Sequence, residues 1–442
     1  MAPSPNHNSV GPPRTLDDVA VGHDPDRKTG AAEYWWRLVR PPVFGLLALV
    51  LLATGAGILQ GYAVLARETI IDRQMQDFGI FYRSTRQYLA GQSLYANSGV
   101  SPGSGFRNLN LPHLHLGLLG FAWLSPGWAL AIWCAGSALA LGDATRRTWR
   151  ATRLRLPWLG ALALAVYVLG WAPTAATVLT GQVGVLLMWP VALAWLASRR
   201  GSWRSAGAWI GLAASVKPFL LLALPYFAVR RRWDALGYTL LVLITTFVVG
   251  ATVFGLDEYR RWIWQLPDIR WGGHYMNASL LGVTDRWLGR GTYYKVDLLA
   301  PAWVIPASLL GSCLVCVVTF SRVRPSSQGP ATVDREWSSW LLASLLMSPL
   351  GWVYYFWIAL LPVTLVVAEA RPWSRRSPRD GLLIVGLGSL LWSGSMSTWG
   401  QPSAWATITT ASMYFWALLS FWSWTIREQT QANAASRATA AD

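Results

Sequence analysis

The stretch RRGSWRSAGAWIGLAASVKPFLLLALPYFAVRRR, Arg199 to Arg232, decides how the whole chain is threaded. Arg199, Arg200 and Arg204 stand at one end, Arg230, Arg231 and Arg232 at the other, and Lys217-Pro218 in the middle. Read as one membrane-crossing helix, it puts a basic cluster on the wrong face, because the cytoplasmic ends of spans carry the excess of Lys and Arg. Read as two short helices, Ala206–Val216 and Pro218–Val229, it becomes a hairpin with both clusters inside. Proline cannot continue a helix and pushes the residue before it out of helical backbone, so the break belongs at Lys217. A lysine at such a tip is costly to bury unless it meets an anion.

The rest of the chain has the composition this reading needs. Of 442 residues, 53% are apolar and 13% charged. Pro42–Ala66 is long enough to cross about 30 Å of hydrocarbon as a helix. Further apolar runs are Pro126–Gly142, Pro157–Ala172, Val183–Ala197, Ala235–Leu256, Leu298–Phe320, Ser338–Pro349, Trp352–Ala368, Gly381–Gly394 and Ser403–Ile426. Lipid cannot satisfy free backbone groups, so these runs are expected to be helices. The fold class is therefore an all-α polytopic membrane protein with about 12 transmembrane helices. Leu111–Leu124 reads as an interfacial helix, since counting it as a span would place Arg146, Arg147, Arg150, Arg153 and Arg155 outside.

This threading puts both termini in the cytoplasm. Residues 1–41 read as a disordered cytoplasmic tail without a cleaved signal, 42–426 as the membrane domain and 427–442 as a second cytoplasmic tail. The net charge of +16 is mostly positive-inside signal and attraction to anionic lipid. A nucleic-acid binder would show a basic, aromatic-interleaved face on a soluble domain, and none is present. Cys134, Cys313 and Cys316 fall within apolar runs with no histidine to complete a metal set, and read as small buried residues.

Only two outer loops are long, residues 67–125 and 256–297, so chemistry outside the membrane must draw on them. Of their carboxylates, Asp77 is the one followed at once by Phe78, Phe81 and Tyr82, aromatic residues that could shield it and stack on a sugar or prenyl chain. On spacing alone Asp77 reads equally well as the cap of an interfacial helix. Asn108, Asn110 and His113 could hydrogen-bond sugar hydroxyls, or could simply build the turn before the next helix. In the second loop Arg270, His274 and Arg286 could hold a lipid phosphate, with Gly272 and Gly273 letting backbone approach it. Arg260 and Arg261 read as snorkelling to headgroups. Thr180-Gly181-Gln182 and Lys217 lie at helix ends near the same face, and Lys217 joins the phosphate-binding candidates. No carboxylate pair at metal-binding spacing appears in these loops, so neither metal nor cofactor is expected.

Several pieces recur together: Asp77-Phe78 with Tyr82, Gly91-Gln92-Ser93-Leu94-Tyr95, Asn108-Leu109-Asn110-Leu111-Pro112-His113, and Gly181-Gln182. They continue with GLAASVKP (Gly211 to Pro218), Arg231-Arg232-Trp233, Asn277-Ala278-Ser279-Leu280 with Arg286, and Ser348-Pro349-Leu350-Gly351-Trp352. In this order they resemble the bacterial polyprenol-phosphate-mannose-dependent mannosyltransferases of glycosyltransferase family 87, in the GT-C superfamily, over roughly residues 43–425. The resemblance implies a GT-C membrane fold in the bacterial plasma membrane and a site on its outer face. It also implies a polyprenyl-phosphate sugar donor, a glycolipid or glycan acceptor, and an aspartate of the first outer loop, here Asp77, as general base. Gln182, Asn277, Trp352 and Tyr354 join Asn108, Asn110, His113 and Tyr82 as sugar- or acceptor-binding candidates. Actinobacterial members often carry histidine shortly after the Ser-Pro…Trp motif, where this chain has Tyr354 and Tyr355, so a role for that histidine does not transfer. An arabinofuranose donor is the nearer alternative to mannose; a lipid or anion transporter binding its cargo at Lys217 is the alternative of a different class.

Overall fold

A computed structural model describes residues 76–96, 108–152, 158–266, 272–289, 301–323, 329–370, 380–391 and 403–441. The expected first span Pro42–Ala66, the tail 1–41 and Arg270 lie outside the described residues. Among the described residues there is helix and no strand; one isolated bridge joins Asn277 to Trp352. The α-helices are α1 Gln76–Leu89, α2 Pro126–Thr152, α3 Trp158–Gly170, α4 Ala172–Thr180, α5 Gly184–Arg199, α6 Trp203–Val216, α7 Ala223–Val229 and α8 Trp233–Phe254. They continue as α9 Leu256–Gln265, α10 Leu280–Leu288, α11 Val304–Phe320, α12 Pro330–Met347, α13 Trp357–Ala370, α14 Asp380–Leu390, α15 Ala404–Ile408 and α16 Met413–Ala441.

Every apolar run that falls among these residues is helical. Two helices, α2 and α8, are by themselves long and apolar enough to cross a membrane, and α3 with α4, bent by 51° at Trp171, form a third such span if counted as one. Shorter apolar helices fill most of the remaining runs. Leu111–Leu124 is a 3-10 helix over Pro112–Trp123.

The hairpin breaks where proline requires it. α6 ends at Val216, Lys217 takes extended backbone (φ −137°, ψ 101°), and a 3-10 turn over Pro218–Leu222 leads into α7. α6 lies flush on α8, because a Cβ at Gly207 would collide with the carbonyl of Ala235, and one at Gly211 would come within 2.8 Å of the carbonyl oxygen of Thr239. Small residues four apart allow such close approach where no hydrophobic drive between helices exists.

Burial separates the helices by role. α5 is buried nearly all round and packs on α2, α6 and α13. α8 instead exposes Leu240, Leu241, Ile244, Phe247 and Val248. Apolar surface of that extent on a protein this rich in apolar helix is a lipid face, so the chain is a membrane protein. The core centres on α5, α12 and α16, where Trp195, Trp337, Trp340 and Trp424 are fully buried.

The run Ser403–Ile426, expected as one span, is broken. α15 stops at Ile408, Thr409 leaves helical backbone (φ −93°, ψ −83°), and a 3-10 turn at Thr410–Ser412 starts α16. Thr407, Thr409 and Thr410 turn their hydroxyls back on carbonyls four residues earlier, which competes with continuous helix. Past the expected end of that run, residues 427–441 continue α16.

Candidate active site

Asp77 sits in the first turn of α1, where capping alone would put a carboxylate. Its carboxylate does more than face that turn: the side-chain amide of Gln182, between α4 and α5, donates to Oδ2. The same amide nitrogen donates to the hydroxyl of Tyr354 at 3.2 Å. Gln182 can reach both because α5 starts hard against the segment carrying Tyr354; a Cβ at Gly184 would collide with the Tyr354 carbonyl. Burial lifts the Asp77 carboxyl to about 6, with the Gln182 amide and the charge of Lys217 holding it down.

Lys217 faces the same cluster from the hairpin tip. Its Nζ donates to Oδ1 of Asn110 at 2.9 Å and lies 5.5 Å from the centre of the Tyr355 ring. Burial lowers its ammonium to about 8, with Asp77 opposing the fall. The cation expected to need an anion therefore has a carboxylate close by, an amide oxygen in contact and an aromatic face beneath it.

A directed chain of hydrogen bonds fixes Asn110. The Thr85 hydroxyl donates to the Phe81 carbonyl at 2.8 Å, so it accepts from Nδ1 of His115, also at 2.8 Å. His115 Nε2 must then accept from the Asn108 amide at 2.9 Å, and Asn108 Oδ1 accepts from the Asn110 amide at 3.2 Å. Asn110 is left presenting oxygen, the acceptor that an ammonium needs. Burial holds His115 neutral, down at about 3. His113 is fixed similarly: Nε2 donates to the Ser215 carbonyl at 2.6 Å, so Nδ1 accepts from the Tyr259 hydroxyl at 3.0 Å. It ties the 3-10 helix Pro112–Trp123 to α6 two residues before Lys217.

Residues 272–289 form an adjoining group with the segment around Trp352. The Asn277 amide donates to the carbonyls of Gly272 and Pro349, Ala278 N–H donates to the Gly351 carbonyl, and Val353 N–H donates to that of Met276. Trp352 is held against His274 (ring centres 5.6 Å apart) and stacks on Tyr354 at 6.1 Å, which joins this group to the one around Asp77. Arg286 is 1% exposed; it donates from Nη1 to the carbonyls of His274 and Asn277 and from Nε to Ser412. Burial and the Arg286 charge keep His274 neutral, near 4. Tyr82 is set apart from both groups, donating its hydroxyl to the Leu124 carbonyl at 2.7 Å.

Thus Asp77, Gln182, Lys217, Asn110, Tyr354 and Tyr355 meet, Asn108 and His113 support them, and His274, Asn277, Trp352 and Arg286 build the adjoining wall. Sequence reasoning missed His115, Thr85 and Glu258. Glu258 accepts from Ser93 Oγ and Leu94 N at 2.8 and 2.9 Å and so pins the segment after α1 to α9. The His113-x-His115 pair was visible, but nothing in its spacing says which ring turns inward.

A helical membrane protein with a carboxylate near 6, a lysine and an amide gathered at one end of its bundle has the parts for proton abstraction beside an anion. The chain belongs to glycosyltransferase family 87, whose sequence profile matches residues 111–349, over half its length. It is 27% identical, over 72% of its length and 75% of the relative's, to a polyprenol-phosphate-mannose-dependent alpha-(1-2)-phosphatidylinositol mannoside mannosyltransferase of Mycolicibacterium smegmatis. It is 26% identical to the corresponding pentamannoside mannosyltransferases of M. smegmatis, over 62% of this chain and 64% of that one, and of Mycobacterium tuberculosis, over 55% and 53%. No solved structure matches.

Proposed function

We propose that this glycosyltransferase moves mannose from a polyprenyl-phosphate donor to a hydroxyl of a glycolipid or glycan acceptor on the outer face of the bacterial plasma membrane. The reading rests on the meeting of Asp77 with Gln182 and Lys217, and draws support from the donor named for its relatives. The catalytic domain is residues 42–426, of GT-C type with about twelve spans and cytoplasmic tails at both ends.

In this mechanism Asp77 takes the proton of the acceptor hydroxyl as that oxygen attacks the anomeric carbon. The bond from that carbon to the phosphate oxygen breaks on the opposite side, its electron pair stays with the polyprenyl phosphate, and the anomeric centre inverts. Gln182 orients the carboxylate while leaving the hydroxyl of Tyr354 beside the sugar. Lys217, held by Asn110, meets the charge left on the phosphate, a task a positioned cation performs best away from bulk water. Arg286 and His274 shape the donor side of the pocket, and Asn277 and Trp352 the sugar side.

The test uses the purified enzyme with polyprenyl-phosphate-mannose and phosphatidylinositol mannosides as candidate acceptors. Asp77→Asn should keep the fold and lower turnover by about 100-fold or more, the usual contribution of a general base. Wild-type-like turnover sinks the assignment.

A further inference from the structure

A polar pocket lies at the end of the bundle remote from Asp77. α5 runs 16 residues from Gly184, beside Tyr354, to Arg199. At 1.5 Å per residue its two ends are about 24 Å apart. Around Arg199 a pocket of about 200 Å³ opens, lined by Ser198, Arg199, Trp203, Arg230, Arg232 and Val333 among others. With about 30 Å³ for each water-sized group, that is ample for a tetrahedral oxyanion.

Two helix connections of matching shape build it. Between α5 and α6, Ser202 N–H bonds the Ala197 carbonyl at 2.9 Å, and between α7 and α8, Arg232 N–H bonds the Phe227 carbonyl at 2.8 Å. Gly201 (φ 73°) and Arg231 (φ 56°) turn left-handed, and the caps that follow, Ser202 and Arg232, share ψ near 70° at 71° and 68°. Arg231 adopts this conformation against the resistance of its Cβ, and the turn delivers Arg232 to the pocket rim.

The donors there exceed the acceptors. The Arg232 guanidinium lies 4.7 Å from the Trp203 ring centre, and its Nε is buried with no hydrogen-bond partner among the described residues. The hydroxyl of Ser198, a residue 2% exposed, is likewise without a partner among them. Asp334 binds Arg199 and Glu336 binds Arg230 at 2.9 Å, which holds those two guanidinia in place, but neither carboxylate lines the pocket. Arg232 has no ion pair among the described residues. Guanidinium forks and a hydroxyl arriving from separate helix ends suit an oxyanion with oxygens in several directions.

We propose that this pocket binds a phosphate group, carried either by the headgroup of an anionic lipid of the leaflet at that end of the bundle or by a free phosphate. The inference is independent of the sugar-transfer reading, and its test does not need turnover.

The full-length enzyme in neutral detergent is titrated with inorganic phosphate against chloride at matched ionic strength, and separately with phosphatidylglycerol against phosphatidylcholine, following its thermal midpoint. Phosphate or phosphatidylglycerol should raise the midpoint where its control does not. Arg232→Gln should weaken that response at least about tenfold by removing a charge-assisted hydrogen bond. Ser198→Ala, which leaves every arginine in place, should weaken it less and serves if Arg232→Gln does not fold. A response to phosphatidylglycerol alone assigns the lipid headgroup, and a response to inorganic phosphate assigns a free ligand. Responses equal to the controls, or unchanged in both variants, overturn the proposal.

Discussion

Asp77 accepts a proton only when ionised, and Lys217 meets a phosphate only when charged. Burial raises the first group to about 6 and lowers the second to about 8. The expected profile of kcat/KM therefore rises as pH passes about 6, where Asp77 loses its proton, and falls as pH passes about 8, where Lys217 does. Lys217→Met should abolish the alkaline limb. Because the lysine charge also lowers the Asp77 carboxyl, the same change should move the acid limb upward. An acid limb that stays in place in Lys217→Met would show that the two groups do not interact in solution. Of these residues, Asp77 and Lys217 were legible one by one, from an aromatic-flanked carboxylate and a lysine before proline. Their proximity was not, because they come from segments 140 positions apart (217 − 77).

At the scale of elements, the site depends on how tightly two connections are drawn together. α5 begins against the Tyr354 carbonyl, and Gly184→Ala sets a methyl group on a backbone atom that no rotamer change can move aside. Overpacking of this kind costs about 1–3 kcal/mol. The variant should lower the thermal midpoint and also slow transfer, since Gln182 lies two residues away. Arg286 makes the complementary case. Read from sequence it is a phosphate ligand; in the structure its guanidinium clamps the His274 and Asn277 carbonyls to Ser412. Arg286→Met should destabilise the protein by about 2 kcal/mol or more through the buried hydrogen bonds to His274, Asn277 and Ser412 that it removes. A raised donor KM with an unchanged thermal midpoint would instead make Arg286 a direct phosphate ligand.

For the molecule as a whole, the arginines of both hairpin connections gather at one end and Asp77, Lys217 and Asn110 at the other. Topology follows from that polarity. In a variant with Cys134, Cys313 and Cys316 replaced by serine, a membrane-impermeant thiol reagent added to intact cells should label Gln92→Cys and leave Ser202→Cys untouched. Both positions are exposed, so access to the reagent depends on the side of the membrane. The reverse pattern would invert the orientation and move the proposed transfer to the inner face.

The sequence by itself determined the helical membrane class and the break of the chain at Lys217-Pro218, because hydrophobic run length and the constraint of proline act locally. The tertiary structure alone decided that Gln182 binds Asp77, that His115 orients Asn110 toward Lys217, and that Arg286 donates to the His274 and Asn277 carbonyls. Those outcomes depend on which polar groups are left facing one another once the helices have packed, and a buried donor takes whichever acceptor packing supplies, however distant in the chain.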